Sequence, residues 1–338
     1  MRLIVVDSVS GQTGYAKATR ELTQAMANLG TQVIWHNVGD LKLERDDVVL
    51  GRLYFQDLRQ FYGKCKLVTW LTLESTELPE YIVRLANSPV IHQIWCPSNF
   101  CKNNYINSGI IDEKIKVIPH GVRTDIYHPT YEGKCLPVQN RPFTFLFVGG
   151  YTGKGDRKGA DIVCKAFAEE FKNDNARLYL KINTVYGNPD AVNELVEIVK
   201  EVTDKVVINT MNLTEKEMNR IYNLADCYVC PSKAEGFNMT ILEAMACGLP
   251  VVTMGWGGQM DYLPHDNFII PLVRLVPSKW SPWDVGNWAD VPLKDLKEQM
   301  RFAYNKNIER IGRKNLMVAK KWTWKRGAKL AIKALQSL

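Results

Sequence analysis

Glu235 and Glu243 bracket the run Glu-Gly-Phe-Asn-Met-Thr-Ile-Leu-Glu, which leads directly into Ala-Met-Ala-Cys-Gly-Leu-Pro-Val-Val. Ile241, Leu242, Ala244, Met245 and Ala246 read as a buried helix. Helical spacing puts Glu243 on one face with Met239, Thr240, Ala246 and Cys247. An ionised carboxylate in that setting needs a partner or hydrogen bonds. No Lys or Arg occurs between Glu235 and Val251. The partner is therefore a ligand or a residue from elsewhere in the fold.

The flanking elements say what kind of ligand. Residues 225–230 form an apolar strand that ends at Pro231-Ser232. A loop with Glu235 and Gly236 follows. Asn238 is an N-cap, the helix runs to about Cys247, Gly248 is the C′ residue and Pro250 the stop. Residues 250–254 make the next strand. The helix thus starts just past the carboxyl end of a buried strand, where open α/β sheets bind ligands and free backbone N–H groups favour phosphate. Those N–H groups belong to Phe237, Asn238 and Met239. Two carboxylates do not suit the phosphate; they suit hydroxyl groups. A diphosphate between two polyhydroxylated rings is a nucleotide sugar.

At these residues the chain resembles the family-4 retaining glycosyltransferases of the GT-B fold. The shared features are Glu-x7-Glu with Gly-Phe after the first Glu, then Glu-Ala-Met-Ala-Cys-Gly-Leu-Pro-Val-Val. A buried helix with one tolerated Glu would not reproduce so many positions in order. The likeness continues from Cys96-Pro97-Ser98 through Val117-Ile-Pro-His120-Gly-Val122 to Tyr127-His128-Pro129.

The resemblance implies an α/β fold of two Rossmann-like domains whose parallel sheets face a deep interdomain cleft. It implies an acceptor-side domain at 1–123, a linker at 124–142 and a donor-binding domain at 143–323. A C-terminal helix near 324–338 would pack back on the first domain. The donor would be a nucleotide diphosphate sugar, with Glu235 on the transferred sugar and Glu243 on the ribose. Gly236, Phe237, Asn238, Met239 and Gly14 would line its site. The family grips the diphosphate with a basic pair. Lys158 aligns with its Lys, but Gly150 replaces its Arg, so Arg157 or Lys154 would stand in. A His common in the first-domain cleft is missing, and Glu74 or Thr72 stands there instead. His120, Glu74 and Thr72 are the cleft or acceptor candidates, and Glu235, Lys158 and Glu74 the catalytic ones. Retention of anomeric configuration is implied.

The remaining chain agrees in order. Residues 1–7, 31–36, 66–71, 93–97, 114–119 and 143–148 read as strands, 8–14 as a Gly/Ser loop and 15–29 as a helix. Strands alternate with helical stretches in both halves, which predicts parallel sheets. A chain of 338 residues fits two domains. The stretch 123–142 is polar and Pro-rich, as a boundary should be.

No Asp-x-Asp occurs, so metal independence is expected, with no cofactor beyond the donor. Cys227-Tyr-Val-Cys230 has CxxC spacing but no second pair, so these read as buried thiols. No apolar run approaches the ~20 residues of a spanning helix; the chain reads as cytoplasmic.

Charge is uneven. From Lys306 to Lys333 there are ten Lys/Arg and one acid, while the whole chain nets +7. Val318, Trp322, Trp324, Leu330 and Leu335 interleave with these charges, so one or two amphipathic helices are expected. A solvated face is the plain reading; contact with an anionic acceptor, a lipid-linked phosphate or a membrane surface is the sharper one. Nucleic acid fits the charge too but is not favoured. Trp280, Trp283 and Trp288 cluster in a Pro-rich segment, suited to stacking on sugar or to local packing.

Two other classes compete. A dinucleotide oxidoreductase would also open strand, Gly loop, helix, but residues 8–14 lack G-x-G-x-x-G and no acid ends the second strand. A GT-B protein that binds nucleotide sugar without transferring it would share every donor motif. Within the enzyme class, a DNA-modifying sugar transferase would use the basic tail.

Overall fold

The structure is a computed structural model that describes residues 2–7, 13–35, 42–44, 46–52, 56–130, 141–184, 190–279 and 284–338. Residues 8–12 of the expected Gly/Ser loop, 131–140 of the expected linker, and Trp280 and Trp283 lie outside the described residues.

Two six-stranded parallel sheets organise the chain. The first lobe holds β1 (Arg2–Val6), β2 (Gln32–Trp35), β3 (Val48–Arg52), β4 (Lys66–Trp70), β5 (Gln93–Cys96) and β6 (Ile115–Val117), in the order β2-β1-β3-β4-β5-β6. Its helices are α1 (Gly14–Ala27), α2 (Glu80–Asn87) and α3 (Asn99–Asn107). The second lobe holds β7 (Phe143–Gly150), β8 (Ala176–Asn183), β9 (Val206–Asn209), β10 (Cys227–Cys230), β11 (Val251–Met254) and β12 (Phe268–Ile270), in the order β12-β11-β10-β7-β8-β9. Around it lie α4 (Ala160–Glu170), α5 (Ala191–Ile198), α6 (Glu215–Leu224), α7 (Met239–Ala246), α8 (Leu293–Asn305) and α9 (Glu309–Ala319). A hairpin of β13 (Leu275–Pro277) and β14 (Asn287–Ala289) follows β12.

The strands are short apolar runs because each sheet is covered on both faces. Leu3, Ile4, Val49, Leu67, Val68 and Ile94 are fully buried in the first sheet, and Phe145, Phe147, Leu178, Leu180, Val229 and Val252 in the second. In both sheets the strand order reverses once, between β1 and β3 and between β10 and β7. Such a switch point leaves a crevice at the carboxyl ends of the strands.

The C-terminal helix α10 (Trp324–Leu335) leaves the second lobe and packs on α1. Trp324, Ala328, Ala331 and Leu335 join the core formed by Leu3, Leu22, Val48 and Trp95. Thus α9 packs on α7 of the second lobe, and the very next helix packs on the first. Where the chain crosses, Val122 N donates to Trp322 O at 3.0 Å, and Val122 pairs with Thr323 in a parallel bridge. Among the described residues, no helix is long and apolar enough to cross a membrane.

Candidate active site

The site forms where the carboxyl ends of the two sheets meet. Arg157 and Lys158 lie on the loop from β7 to α4, and Glu235 on the loop from β10 to α7. β7 and β10 are the neighbours at the second switch point, so both loops open into one crevice. Asp156 shapes the first loop: its Oδ1 accepts Gly159 N at 2.8 Å and its Oδ2 accepts Thr152 N at 3.2 Å. Gly159 turns the chain with φ +77° before α4 begins.

Glu235 is 4% exposed and densely contacted. Its Oε1 accepts Lys158 Nζ at 2.5 Å and Ser232 Oγ at 2.5 Å, and lies 3.2 Å from Arg157 Nη1. Burial alone would raise this carboxyl, but Lys158 and Arg157 outweigh it and hold Glu235 below its ordinary range. Glu235 is therefore an anion between two cations.

Glu74 comes from the first lobe, on the segment after β4. It faces the Arg157 guanidinium at 2.9 Å. Burial, opposed by Arg157 and reinforced by the negative Glu235, holds its carboxyl above the ordinary range. The second lobe clamps the Glu74 backbone. Trp288 Nε1 donates to Glu74 O at 2.7 Å, Asn287 N donates to Thr76 Oγ1 at 2.8 Å, and Ser75 Oγ donates to Val285 O at 2.7 Å. Trp288, one of the three tryptophans offered for sugar stacking, is 4% exposed and serves as this clamp.

The turn into α7 matches the expected caps. Asn238 adopts φ +68° as N-cap, and its Oδ1 accepts Ile241 N at 3.4 Å. Gly248 turns the end of the helix with φ +78°. A side chain at Gly236 would collide with Thr72 Cγ2, so only glycine lets this loop touch the first lobe. There Ser98 Oγ donates to Gly236 O at 2.6 Å. Gly14, the first residue of α1, sits so that an added Cβ would lie 3.5 Å from Met239 Cε.

Phe237 is buried with its ring 5.0 Å from His120 and 5.1 Å from Tyr262. His120 itself is 7% exposed, and burial lowers its pKa to about 3. Neither ring nitrogen has a hydrogen-bond partner among the described residues. Trp70, Phe237 and Trp324 surround it, each within 5.6 Å between ring centres. It borders a cavity of about 10 Å³ that Tyr15, Arg52, Trp70 and Thr72 also line.

One turn into α7, Glu243 is 7% exposed. Its missing partner is Lys17 of α1, whose Nζ donates to Oε1 at 2.6 Å. Tyr222 of α6 donates its hydroxyl to Oε2 at 2.9 Å. Sequence reading missed Lys17, Tyr222 and Ser232, and with them the Trp288 clamp. Of the expected catalytic residues Glu235, Lys158 and Glu74 and the stand-in Arg157, Glu74 pairs with Arg157, and Arg157 and Lys158 both pair with Glu235. Lys154, the other stand-in for the missing Arg, is exposed; its backbone N donates to Glu194, and it makes no contact with this cluster. The thiols of Cys227 and Cys230 are free and buried. No cluster of three or more His, Cys, Asp or Glu suited to a metal exists among the described residues.

Three comparisons place this geometry. Residues 142–274 match the family described as glycosyl transferases group 1. An uncharacterized glycosyltransferase of Methanocaldococcus jannaschii is 30% identical over 165 residues, 46% of this chain and 40% of that protein. A probable sucrose-phosphate synthase of Thermosipho melanesiensis is 26% identical over 174 residues, 50% of this chain and 39% of that one. The chain therefore spans about two fifths of the length of each of these relatives. Among solved structures, Anabaena HepE in complex with UDP and glucose superposes with a TM-score of 0.74 over 100% of both chains, at 16% identity. The likeness to the glycosyl transferases group 1 thus covers most of the second lobe, and the chain as a whole has the GT-B fold.

Proposed function

We propose that the protein moves a sugar from a nucleotide diphosphate sugar to an acceptor hydroxyl, with retention of anomeric configuration and without a metal. The observation that carries this reading is the charge order along one crevice. Arg157 and Lys158 supply two cations beside the start of α7. Carboxylates flank the start of that helix, Glu235 just before it and Glu243 about one turn inside it. Cations and helix N–H groups suit a diphosphate leaving group, and the carboxylates suit the hydroxyls on either side.

In this reading the donor lies on residues 143–323. Lys158 and Arg157 offset charge on the departing diphosphate. Glu235 holds hydroxyls of the transferred sugar, and Glu243 those of the ribose. The acceptor enters from residues 1–123, with Glu74, Thr72 and His120 on that side, and residues 324–338 belong to the same side. Glu74, with its raised pKa, is suited to share a proton with the acceptor hydroxyl. The acceptor is a glycan, a lipid-linked sugar or another hydroxyl compound.

The test is direct. UDP-, GDP- and ADP-sugars are incubated with the protein and a panel of glycoside acceptors, with and without excess chelator. Proton NMR then reads the anomeric configuration of the product. Transfer that survives chelator and keeps the donor's configuration supports the proposal. Tight donor binding with neither transfer nor hydrolysis would make the chain a nucleotide-sugar-binding protein. Inversion, or loss with chelator restored by manganese, would overturn the mechanism.

A further inference from the structure

We infer that Lys17, a first-lobe residue, positions Glu243 for the ribose of the nucleotide, so that the ribose site is complete only when the two lobes are joined. The inference rests on the reading of Glu243 as the ribose ligand. It adds a residue that neither the motif nor its spacing names.

Glu243 is pinned from two directions. Lys17 takes Oε1 from the first lobe and Tyr222 takes Oε2 from the second. A carboxylate offers about four lone-pair sites, two on each oxygen. One contact on each oxygen leaves one site free on each. Two adjacent hydroxyl donors, as on a ribose, need that pair of acceptors. With both oxygens held, the carboxylate plane is fixed before any ligand arrives, and hydrogen bonds to a preset acceptor lose less entropy.

Lys17 is equally committed. Its ammonium donates to Glu243 Oε1 at 2.6 Å and to the Tyr127 hydroxyl at 3.2 Å, and it forms an ion pair with Glu215 Oε1 at 2.5 Å. It thereby joins α1 to α6, to α7 and to the segment after β6. Burial works against the Lys17 charge, yet Glu243, Tyr127 and Glu215 together raise its pKa above that of an ordinary lysine. The ammonium is charged at any working pH, so the anchor does not depend on titration.

The experiment is a cycle in protein and ligand together. Calorimetric titration measures the tightest binder among UDP, GDP and ADP, and then its 2′,3′-dideoxy counterpart, on wild type, Lys17→Ala and Lys17→Arg. A hydrogen bond to a charged group corresponds to about tenfold to a hundredfold in affinity. Wild type should therefore prefer the ribose form by about that factor. In Lys17→Ala the preference should shrink to within about threefold. Lys17→Arg should restore part of it. Circular dichroism and the melting point check that each variant is folded. If wild type does not distinguish the two nucleotides, or binds none of the three, the ribose reading of Glu243 is wrong. If wild type distinguishes them and Lys17→Ala does so equally well, that reading stands and the role of Lys17 is refuted. A uniform loss for both nucleotides with the preference intact would make Lys17 a structural tie only.

Discussion

Arg157 Nη2 and Glu74 Oε1 lie 2.9 Å apart, one residue from each lobe. The same guanidinium donates to Ala234 O at 2.5 Å and stands 3.2 Å from Glu235. Arg157 thus separates two carboxylates that would otherwise repel. Their side chains are 12% and 5% exposed, so solvent screens the group far less than a surface pair.

Arg157→Ala leaves Glu74 without its ion-pair partner and Glu235 with Lys158 only. Removing one partner of a buried pair costs about 3–5 kcal/mol. Urea denaturation should show a loss near the lower end of that range, because Lys158 stays on Glu235. Glu74→Gln should cost less, since Arg157 keeps Glu235. An unchanged urea midpoint for Arg157→Ala would show that the contact carries no stability.

Lys158 should matter more to catalysis than to folding. Its side chain is 25% exposed, and among the described residues its ion pair is with Glu235 alone. Lys158→Ala should therefore cut kcat/KM more than Arg157→Ala does, once both are compared as folded protein. Glu235→Ala and Glu243→Ala should each remove most transfer, with Glu243→Ala also weakening the bare nucleoside diphosphate. Near-normal turnover in either Glu variant would remove the donor-site argument.

His120 gives a proton-linkage signature. Burial lowers its pKa to about 3 from 6.5, so between these values the unfolded chain binds the extra proton. Stability contributed by neutral His120 is full above pH 6.5 and falls with acidification, at up to about 1.4 kcal/mol per pH unit. His120→Phe suits the cage of Trp70, Phe237 and Trp324 and removes two unpartnered nitrogens. Urea midpoints between pH 4.5 and 6.5 should be flatter for this variant by about one proton's slope. Identical slopes in both proteins would mean that His120 finds a proton partner when acidified.

These residues were unequally legible in the sequence. The α7 turn was readable because its signals are local: Asn238 before the helix, Gly248 after it, Pro250 beyond. β3 went unexpected although it lies inside the first sheet. It is a five-residue strand, Val-Val-Leu-Gly-Arg, after a charged stretch, and so short an apolar run carries no periodicity of its own. Lys17 was invisible for a different reason. It lies 226 residues from Glu243, and nothing in the α1 pattern distinguishes it from an ordinary solvated lysine. Glu74 was found by its position after β4, but the hydrogen bond that fixes it comes from Trp288, 214 residues on. The basic segment, expected as one or two amphipathic helices, forms α9 and α10.

The α10 surface yields an acceptor prediction. Lys325, Lys329 and Lys333 are exposed at helical spacing, and none is in a salt bridge among the described residues. Arg326 instead stacks on Trp322 at 4.2 Å. Reversing Lys325, Lys329 and Lys333 to Glu should leave the donor KM unchanged. For an anionic acceptor it should raise the acceptor KM and flatten its salt dependence, since exposed charges are screened over about 8 Å at physiological salt. If both acceptor quantities stay put, the stripe is a solvated face and a neutral acceptor follows.

The chain passes between the lobes twice, after β6 and again between α9 and α10, and the two passages are bonded to each other through Val122, Trp322 and Thr323. A body hung on one strand can twist and swing about any axis. Two adjacent strands tied side by side behave as a strap: they resist twisting and leave bending as the soft direction. An opening of the crevice would then follow that soft direction. Such a motion would part or join the Lys17–Glu243 and Glu74–Arg157 contacts together, so on the proposed function a donor and an acceptor that each favour contact would help one another to bind.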